Sequence, residues 1–149
     1  MKINVDIENF SSCKNIPDEI FFRRWVSASL SSQQKRLEVV IRVINEDESA
    51  ALNNRFRKKN VATNVLSFPA DLPESLNFPL LGDLAICAQV VAREADEQNK
   101  DLDAHWAHIV IHGSLHLIGF DHEDDADAKK MEKMETKILS EFYFPSPYE

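Results

Sequence analysis

Glycine, cysteine and long apolar runs are all scarce in this sequence. Its 149 residues include three glycines and two cysteines, Cys13 and Cys87. Two cysteines are too few for a disulfide framework, and they are typical of free or buried thiols in a reducing cytosol. No apolar run approaches the roughly 20 residues of a membrane-spanning helix, and the first residues lack the apolar core of a signal peptide. We therefore expect a cytoplasmic protein with no membrane partner.

An excess of positive charge is also lacking, because 25 acidic residues outnumber 17 basic ones and give a net charge of −8. This balance argues against broad, charge-driven binding of nucleic acid. One local exception is the segment RFRKK, residues 55–59, which carries four positive charges. The residues support two interpretations of it equally. It is either a solvated loop, or a segment in which Arg57 or a neighbour binds a phosphodiester.

The length of the chain predicts a single domain, residues 1–149. Alternating or β-branched apolar segments predict four strands, at residues 3–7, 37–44, 63–68 and 82–87. Helical periodicity predicts five helices, one from about residue 17 and the others near residues 45–56, 88–100, 101–117 and 125–142. In the first helix, the expected apolar face consists of Ile20, Phe21, Trp25 and Ala28. The predicted class is α+β, with a mixed sheet of roughly four strands and about five helices.

Three of the five histidines lie within the eleven-residue segment HGSLHLIGFDH, which begins at His112. His112 and His116 are one turn apart on a predicted helix, so both imidazoles lie on one face. Gly119 tolerates a positive φ and can turn the chain back, which would bring His122 to the same point. The spacing matches the metzincin pattern H-E-x-x-H-x-x-G-x-x-H. The one difference is Gly113, which occupies the position of the glutamate base of those peptidases.

This spacing predicts a metal site on the helix. Three neutral imidazoles favour zinc, although nickel, copper or iron would also accept them. We expect one Zn2+ with three histidine ligands and a water molecule in the fourth position, as in catalytic zinc sites. Asp121 could supply a fourth ligand, but a role as a turn residue is at least as consistent with its position. His108 is expected to be a hydrogen-bonding partner of the site, and His105 a solvated residue.

Gly113 separates metal-dependent hydrolysis in general from peptide cleavage in particular, because it has no proton-accepting side chain. A metallopeptidase-like hydrolase is therefore an alternative only if another carboxylate, such as Asp83 or Asp121, reaches the metal-bound water. A second alternative is a non-catalytic RNA-binding factor with a structural zinc. Such a site would normally have four protein ligands.

Three segments of the chain resemble a known family. AHWAHIVIHGSLHLIGFDHEDD, residues 104–125, closely resembles the signature of the bacterial YbeY family of endoribonucleases and rRNA maturation factors. RFRKKNVATNVLSFP, residues 55–69, and LLGDLAIC, residues 80–87, resemble two further blocks of that family. The likeness extends from residue 37 to about residue 135.

The resemblance implies an α+β domain with a four-stranded sheet and a helical layer. His112, His116 and His122 match the family's three zinc ligands, and Arg57 matches its functional arginine. The implied activity is zinc-dependent cleavage of single-stranded RNA in the maturation of the 3′ end of small-subunit (16S) rRNA and in ribosome quality control. The implied partners are precursor rRNA and the ribosome or ribosomal proteins, in the bacterial cytoplasm. No DNA partner is expected. With this resemblance, the non-catalytic alternative is a ribosome-assembly factor with a structural zinc.

The sequence departs from the family pattern at several positions. Lys58, Asn60 and Ala62 replace a glycine, an aspartate and a proline that are common in the family, and Phe120 replaces a common tyrosine. We therefore expect the loop after Arg57 to be more basic and less pre-set in its geometry.

Overall fold

A computed structural model describes residues 3–73, 76 and 78–148 of the chain. Within these residues, four strands and five α-helices follow one another. The strands are β1 (Ile3–Asn9), β2 (Leu37–Ile44), β3 (Val65–Pro69) and β4 (Leu80–Cys87). The helices are α1 (Glu19–Ser29), α2 (Glu46–Arg57), α3 (Ala88–Glu97), α4 (Leu102–Leu117) and α5 (Asp125–Glu141). The predicted α+β class is confirmed.

The four strands form one mixed sheet in the order β1-β2-β4-β3. β1 pairs with β2 and β2 pairs with β4, both in parallel, whereas β3 runs antiparallel to β4. β3 therefore lies at an edge of the sheet, with its outer side open to the region next to α4. This edge strand forms one wall of the candidate site described below.

The helix α4 lies at the centre of the helical layer, and ten of its 16 residues are buried. Its ring contact with α1 is an edge-to-face pair between Trp106 and Phe22, with centroids 5.6 Å apart. On the sheet, Leu84 and Ile86 belong to the core that includes α4. The intervening Ala85 packs with residues on the opposite face, as the alternation of a strand requires. The helix that carries the histidines is thus fixed on several sides.

The predicted apolar face of α1 was wrong at two of its four positions. Ile20 and Phe21 are 50% and 46% exposed, whereas Phe22 and Val26 are fully buried beside Trp25. Three consecutive apolar residues occupy positions 20–22, so the sequence pattern fits two neighbouring helical faces equally well. Packing against α4 selects the face that contains Phe22.

No helix in the described ranges is both long enough and apolar enough to cross a bilayer.

Candidate metal centre

The second half of α4 is held against the sheet at Gly113. A Cβ atom built at this residue would lie 3.0 Å from Leu84 Cδ2 and 3.2 Å from Val65 Cγ2. In addition, the hydroxyl of Ser67 donates a hydrogen bond of 3.2 Å to the Gly113 carbonyl oxygen. The position that matches the metzincin glutamate therefore faces the sheet, and a side chain there would require Leu84 and Val65 to shift by a few tenths of an ångström. This close approach brings His112 beside β3.

The chain reverses direction directly after α4, as the sequence predicted. Gly119 has a φ of +102°, which lies in the region that favours glycine. The Phe120 N–H then donates a 3.1 Å hydrogen bond back to the Leu115 carbonyl. Asp121 Oδ1 accepts a 2.7 Å hydrogen bond from the backbone N–H of His122. Asp121 thus acts as a turn residue, and among the described residues it is not part of the histidine group.

The three histidines converge at one point. The Nε2 atoms of His112 and His116 are 3.1 Å apart. The ring centroid of His122 lies 5.7 Å from that of His112 and 5.1 Å from that of His116. One nitrogen of each ring lies within 4.8 Å of the others, a separation at which the three could hold one metal ion.

The protonation of His116 suits a metal ligand. Its burial, and then the neighbouring His112 and His122, lower its pKa below the ordinary value of an imidazole. At neutral pH this ring is therefore uncharged and retains a nitrogen lone pair. Three nitrogen donors of this kind match the preferences of zinc and of several other divalent transition metals.

A cavity of about 460 Å3 connects the histidines with the basic segment. The three histidines form one wall, β3 forms a second, and the end of α2 contributes a third. Its lining residues are Phe56, Arg57, Thr63, Asn64, Val65, Leu66, Ser67, Phe68, Pro69, His112, His116 and His122. The residues predicted from the histidine motif and from the basic segment, which are about 55 positions apart, thus line the same cavity.

The open edge of β3 presents few hydrogen-bond donors to this cavity. Cys87 N bonds to Asn64 O and Ala70 N bonds to Leu81 O, so even-numbered residues of β3 bond to β4 and odd-numbered ones face outward. Of the outward positions, Pro69 has no N–H, and the Val65 N–H donates to Asn64 Oδ1 at 2.6 Å. Of the three outward-facing residues of β3, Ser67 therefore retains a backbone N–H that can donate to a group in the cavity.

The loop between α2 and β3 is anchored by two buried polar residues of α2. Ser49 Oγ accepts from the backbone N–H of Thr63 and donates to its carbonyl oxygen, both at 3.0 Å. Asn53 Nδ2 donates to the Val61 carbonyl at 2.8 Å. Lys58, which replaces the family's glycine, has a φ of +61° and a ψ of 28°. This lysine thus adopts the left-handed conformation that glycine takes most readily, and the expectation that the loop is less pre-set stays a prediction.

The histidines have a buried carboxylate behind them that the sequence pattern did not predict. Glu135 of α5 is completely buried, and its Oε2 lies 2.6 Å from His112 Nδ1. Its Oε1 lies 3.2 Å from His108 Nε2 and also accepts a hydrogen bond from the Tyr148 hydroxyl. Burial raises the pKa of Glu135, but the hydrogen bonds from His108 and His112, with a smaller one from Tyr148, outweigh it and bring the pKa to about 2. The one signal in the sequence was an acidic residue on the apolar face of α5 between Met131 and Ile138.

Of the expectations for the two remaining histidines, the one for His108 is confirmed and the one for His105 is wrong. His108 contacts Glu135 and so is a partner of the site, as predicted. His105 is only 2% exposed, and its Nε2 lies 2.9 Å from Glu94 Oε1, so the expected solvated position was wrong. Glu94 Oε1 also accepts a 3.1 Å hydrogen bond from Asn64 Nδ2. Through Glu94, His105 of α4 is therefore connected to Asn64 at the start of β3.

Asp83, one of the two carboxylates considered as a substitute base, does not face the histidines. It alternates with Leu84 along β4 and therefore points to the opposite face of the sheet. There it forms an ion pair of 3.2 Å with Arg42. Asp83 therefore does not supply the general base that peptide hydrolysis at this centre would need.

The fold and the site define a small α+β protein with a three-histidine candidate metal centre beside a sheet edge. A family model described as Endoribonuclease YbeY matches residues 6–143. The chain belongs to this family.

Individual relatives agree with this assignment. A protein from Nitrosococcus oceani named Endoribonuclease YbeY is 52% identical over 151 residues, which cover 100% of this chain and 99% of that protein. One of the same name from Cellvibrio japonicus is 50% identical over 149 residues, with coverage of 99% and 84%. A solution structure of a protein from Thermotoga maritima is similar with a TM-score of 0.62 at 26% identity, covering 95% of this chain and 89% of that one.

Proposed function

We propose that this chain is a zinc-dependent endoribonuclease that cleaves single-stranded RNA. Membership of the endoribonuclease YbeY family makes it a hydrolase that acts on RNA. The observation that carries the proposal is the single cavity lined by Arg57 and the three histidines. We further propose the 3′ end of precursor small-subunit (16S) rRNA as its substrate, in maturation and ribosome quality control. The ribosome or a ribosomal protein is the proposed partner, in the bacterial cytoplasm.

His112, His116 and His122 are the proposed ligands of one zinc ion. The converging nitrogens and the lowered pKa of His116 support this role. When bound, zinc supplies Lewis-acid character to the cavity. The remaining steps depend on the chain's own groups.

Arg57 is the proposed phosphate-binding residue of the reaction. Its guanidinium is always charged and presents a planar set of donors that match the oxygens of a phosphodiester. In a concave site, such a group offsets the negative charge that develops on those oxygens. The four positive charges of residues 55–59 make this rim locally basic although the chain carries a net charge of −8. This rim can therefore attract RNA locally despite the net negative charge of the chain.

The cavity favours a flexible strand over a duplex. The histidines line a concave space together with β3, and a scissile phosphate has to enter that space to meet all three of them. A single strand can bend its backbone into such a space, whereas a duplex presents its phosphates on a rigid cylinder. The family's implied preference for single-stranded RNA is consistent with this shape.

Two structural features argue against the metallopeptidase alternative. Peptide substrates commonly add as a strand to a sheet edge through alternating backbone donors and acceptors. The edge of β3 lacks two of its three outward donors, because of Pro69 and the Val65 bond to Asn64. Gly113 also lacks the side chain of the metzincin glutamate base, and its position faces the sheet at close contact with Leu84. The structural-zinc alternative is disfavoured because, among the described residues, the metal-ligand group around the cavity contains three members rather than four.

The proposal is tested by metal analysis combined with RNA cleavage. We expect about one zinc per chain, loss of cleavage of a single-stranded RNA after chelation, and recovery when zinc is added back. His122→Ala should abolish both zinc binding and cleavage. Chelated, metal-free protein that cleaves as fast as zinc-loaded protein would show that the proposed metal dependence is wrong.

A second set of variants tests Arg57. Arg57→Ala should lower kcat by roughly 100-fold or more, since loss of one charge-stabilising donor commonly has this effect. Arg23→Ala is the matched control, because Arg23 is an exposed arginine of α1 paired with Glu19, outside the cavity. Equal rates for both arginine variants would exclude a specific phosphate-binding role.

The proposed substrate is tested by comparing the cleavage rate of an RNA that spans the 3′ end of the small-subunit rRNA with that of a shuffled RNA of equal composition.

A further inference from the structure

Glu135 is buried in a way that requires an explanation. A carboxylate in a protein interior is strongly disfavoured unless it is hydrogen-bonded or paired with a charge. Among the ion pairs of the described residues, Glu135 has partners only in the imidazoles of His108 and His112, and in no lysine or arginine. Both of its oxygens are engaged, and the Tyr148 hydroxyl adds a third contact. The site therefore holds a fully buried carboxylate directed at a histidine of the cavity.

The contact with His112 fixes which nitrogen of that ring is free. An ionised carboxylate has no hydrogen to donate, and Glu135 already accepts from the Tyr148 hydroxyl at Oε1. It can only accept, so His112 carries its hydrogen on Nδ1, where the 2.6 Å contact is made. The Nε2 atom is then left with its lone pair, and it faces His116 Nε2 at 3.1 Å. Such a contact also makes the free nitrogen more basic.

The segment after α5 returns to this carboxylate. Ser146 Oγ lies 3.3 Å from Thr136 Oγ1, which attaches the segment to α5 one residue beyond Glu135. Tyr148 then places its hydroxyl on Glu135 Oε1 and 3.2 Å from His108 Nε2. Burial, followed by the hydrogen bond to Glu135, raises the pKa of Tyr148, so the hydroxyl stays a donor. Tyr148 thus limits the positions that the Glu135 side chain can take.

The same atoms could in principle hold a second ion, since His108, His112 and Glu135 also offer ligand atoms within 4.8 Å of one another. The hydrogen bonds argue otherwise. A metal bound to Glu135 there would displace a hydrogen bond of the carboxylate, either that with His112 at Oε2 or those with His108 and Tyr148 at Oε1. The 2.6 Å separation of His112 Nδ1 and Glu135 Oε2 is that of a charge-assisted hydrogen bond.

We propose that Glu135 is a positioning residue for the triad, which orients His112 through Nδ1, and that Tyr148 holds Glu135 in this orientation. This inference rests on the proposed metal-binding role of the three histidines. It goes beyond that role because it assigns the affinity of the centre in part to α5 and to the segment that follows it.

The test compares zinc affinities of the full chain by competition with a chelator of known affinity. Glu135→Gln keeps the shape but removes the charge, and it should raise the zinc Kd by about 10–100-fold. Tyr148→Phe should raise it by roughly 3–10-fold, the effect of losing one hydrogen bond. Tyr143→Phe, at a tyrosine that is 95% exposed, and Glu141→Gln, at an exposed glutamate of the same helix, should change the Kd by less than about twofold.

Nitrogen-15 NMR of the zinc-loaded protein gives a second measurement that does not depend on Glu135→Gln. The His112 ring should carry its proton on Nδ1, and that proton should exchange faster with water in Tyr148→Phe. A His112 proton on Nε2 would overturn the proposal even if Glu135→Gln fails to fold. A Glu135→Gln Kd equal to that of wild type would overturn it as well.

Two further outcomes are distinguishable. A wild-type protein that binds no zinc refutes both the proposed metal site and this inference. Two zinc ions per wild-type chain, with one lost in Glu135→Gln, would identify Glu135 as a ligand and refute the positioning role alone. None of these measurements depends on RNA cleavage, so the inference can fail while the proposed nuclease function stands.

Discussion

Gly113 and Leu84 approach each other so closely that a Cβ at Gly113 would lie 3.0 Å from Leu84 Cδ2. The glycine in the metzincin-like motif therefore permits the close contact between helix and sheet. It also leaves the centre without the glutamate base of a metzincin. Gly113→Ala should lower the free energy of unfolding by about 1–3 kcal/mol through overpacking, although alanine favours helix by about 1 kcal/mol. Urea denaturation measures this change. In a Leu84→Val background, where the side chain is one carbon shorter, the added cost of Gly113→Ala should fall; an unchanged cost would contradict the steric explanation.

Lys58 occupies a left-handed position that suits glycine. Lys58→Gly should raise the free energy of unfolding by about 0.5–1 kcal/mol, because relief of the left-handed strain exceeds the greater chain entropy of glycine. Lys58→Ala keeps a Cβ and should bring no such gain. Lys59→Gly is the matched control, since Lys59 has no positive φ, and it should not stabilise the protein. Thermal and urea unfolding of the three variants would refute this explanation if Lys58→Gly were the least stable.

Ser49 links α2 to the loop that lines the cavity. Ser49→Ala removes both 3.0 Å hydrogen bonds to the Thr63 backbone, and it should lower the free energy of unfolding by about 1–3 kcal/mol. We also expect slower RNA cleavage, because Thr63 lines the cavity and is no longer held. Ser31→Ala, at an exposed serine, should stay within about 0.5 kcal/mol of wild type. If Ser49→Ala cleaved RNA at the wild-type rate, the proposed contribution of this anchor to cleavage would be wrong.

His105 makes stability depend on pH. Burial lowers the pKa of His105 in the folded protein, and the hydrogen bond to Glu94 only partly opposes this. A lowered histidine pKa means that the unfolded chain binds the proton more readily. This contribution to stability is therefore fully present above 6.5, the ordinary pKa of a histidine side chain, and is lost as the pH falls below that value. Urea midpoints of metal-free protein should fall more between pH 7.5 and 5.5 for wild type than for His105→Gln. Equal losses would contradict the assignment.

The elements and the histidine motif could be predicted because they depend on local periodicity. His112, His116 and the turn at Gly119 lie within eight residues, so helix geometry and the freedom of glycine were sufficient to bring them together. Their role as metal ligands stays a prediction until a metal is measured. The position of Arg57 beside them required the packing of α2 and β3, which no local pattern specifies.

The parts that were missed depend on contacts between distant elements. Glu135 lies 23 residues from His112, and its carboxylate is directed inward by the packing of α5 on α4. His105 was misjudged because a histidine near the start of a helix is equally compatible with a buried carboxylate partner and with solvent. The α1 face was misjudged because neighbouring apolar residues make helical periodicity ambiguous. In each case tertiary packing chooses between options that the sequence pattern leaves equal.

The edge of β3 has a consequence for self-association. An open strand edge is a template on which a strand of another molecule can add, and this is a common first step of aggregation. Many proteins cover such an edge with a loop or helix, which here would also close the cavity. Pro69 and the bond between the Val65 N–H and Asn64 Oδ1 instead remove donors from the edge itself. The protein can therefore leave this wall exposed to solvent and to large substrates while presenting a poor template for intermolecular strand pairing.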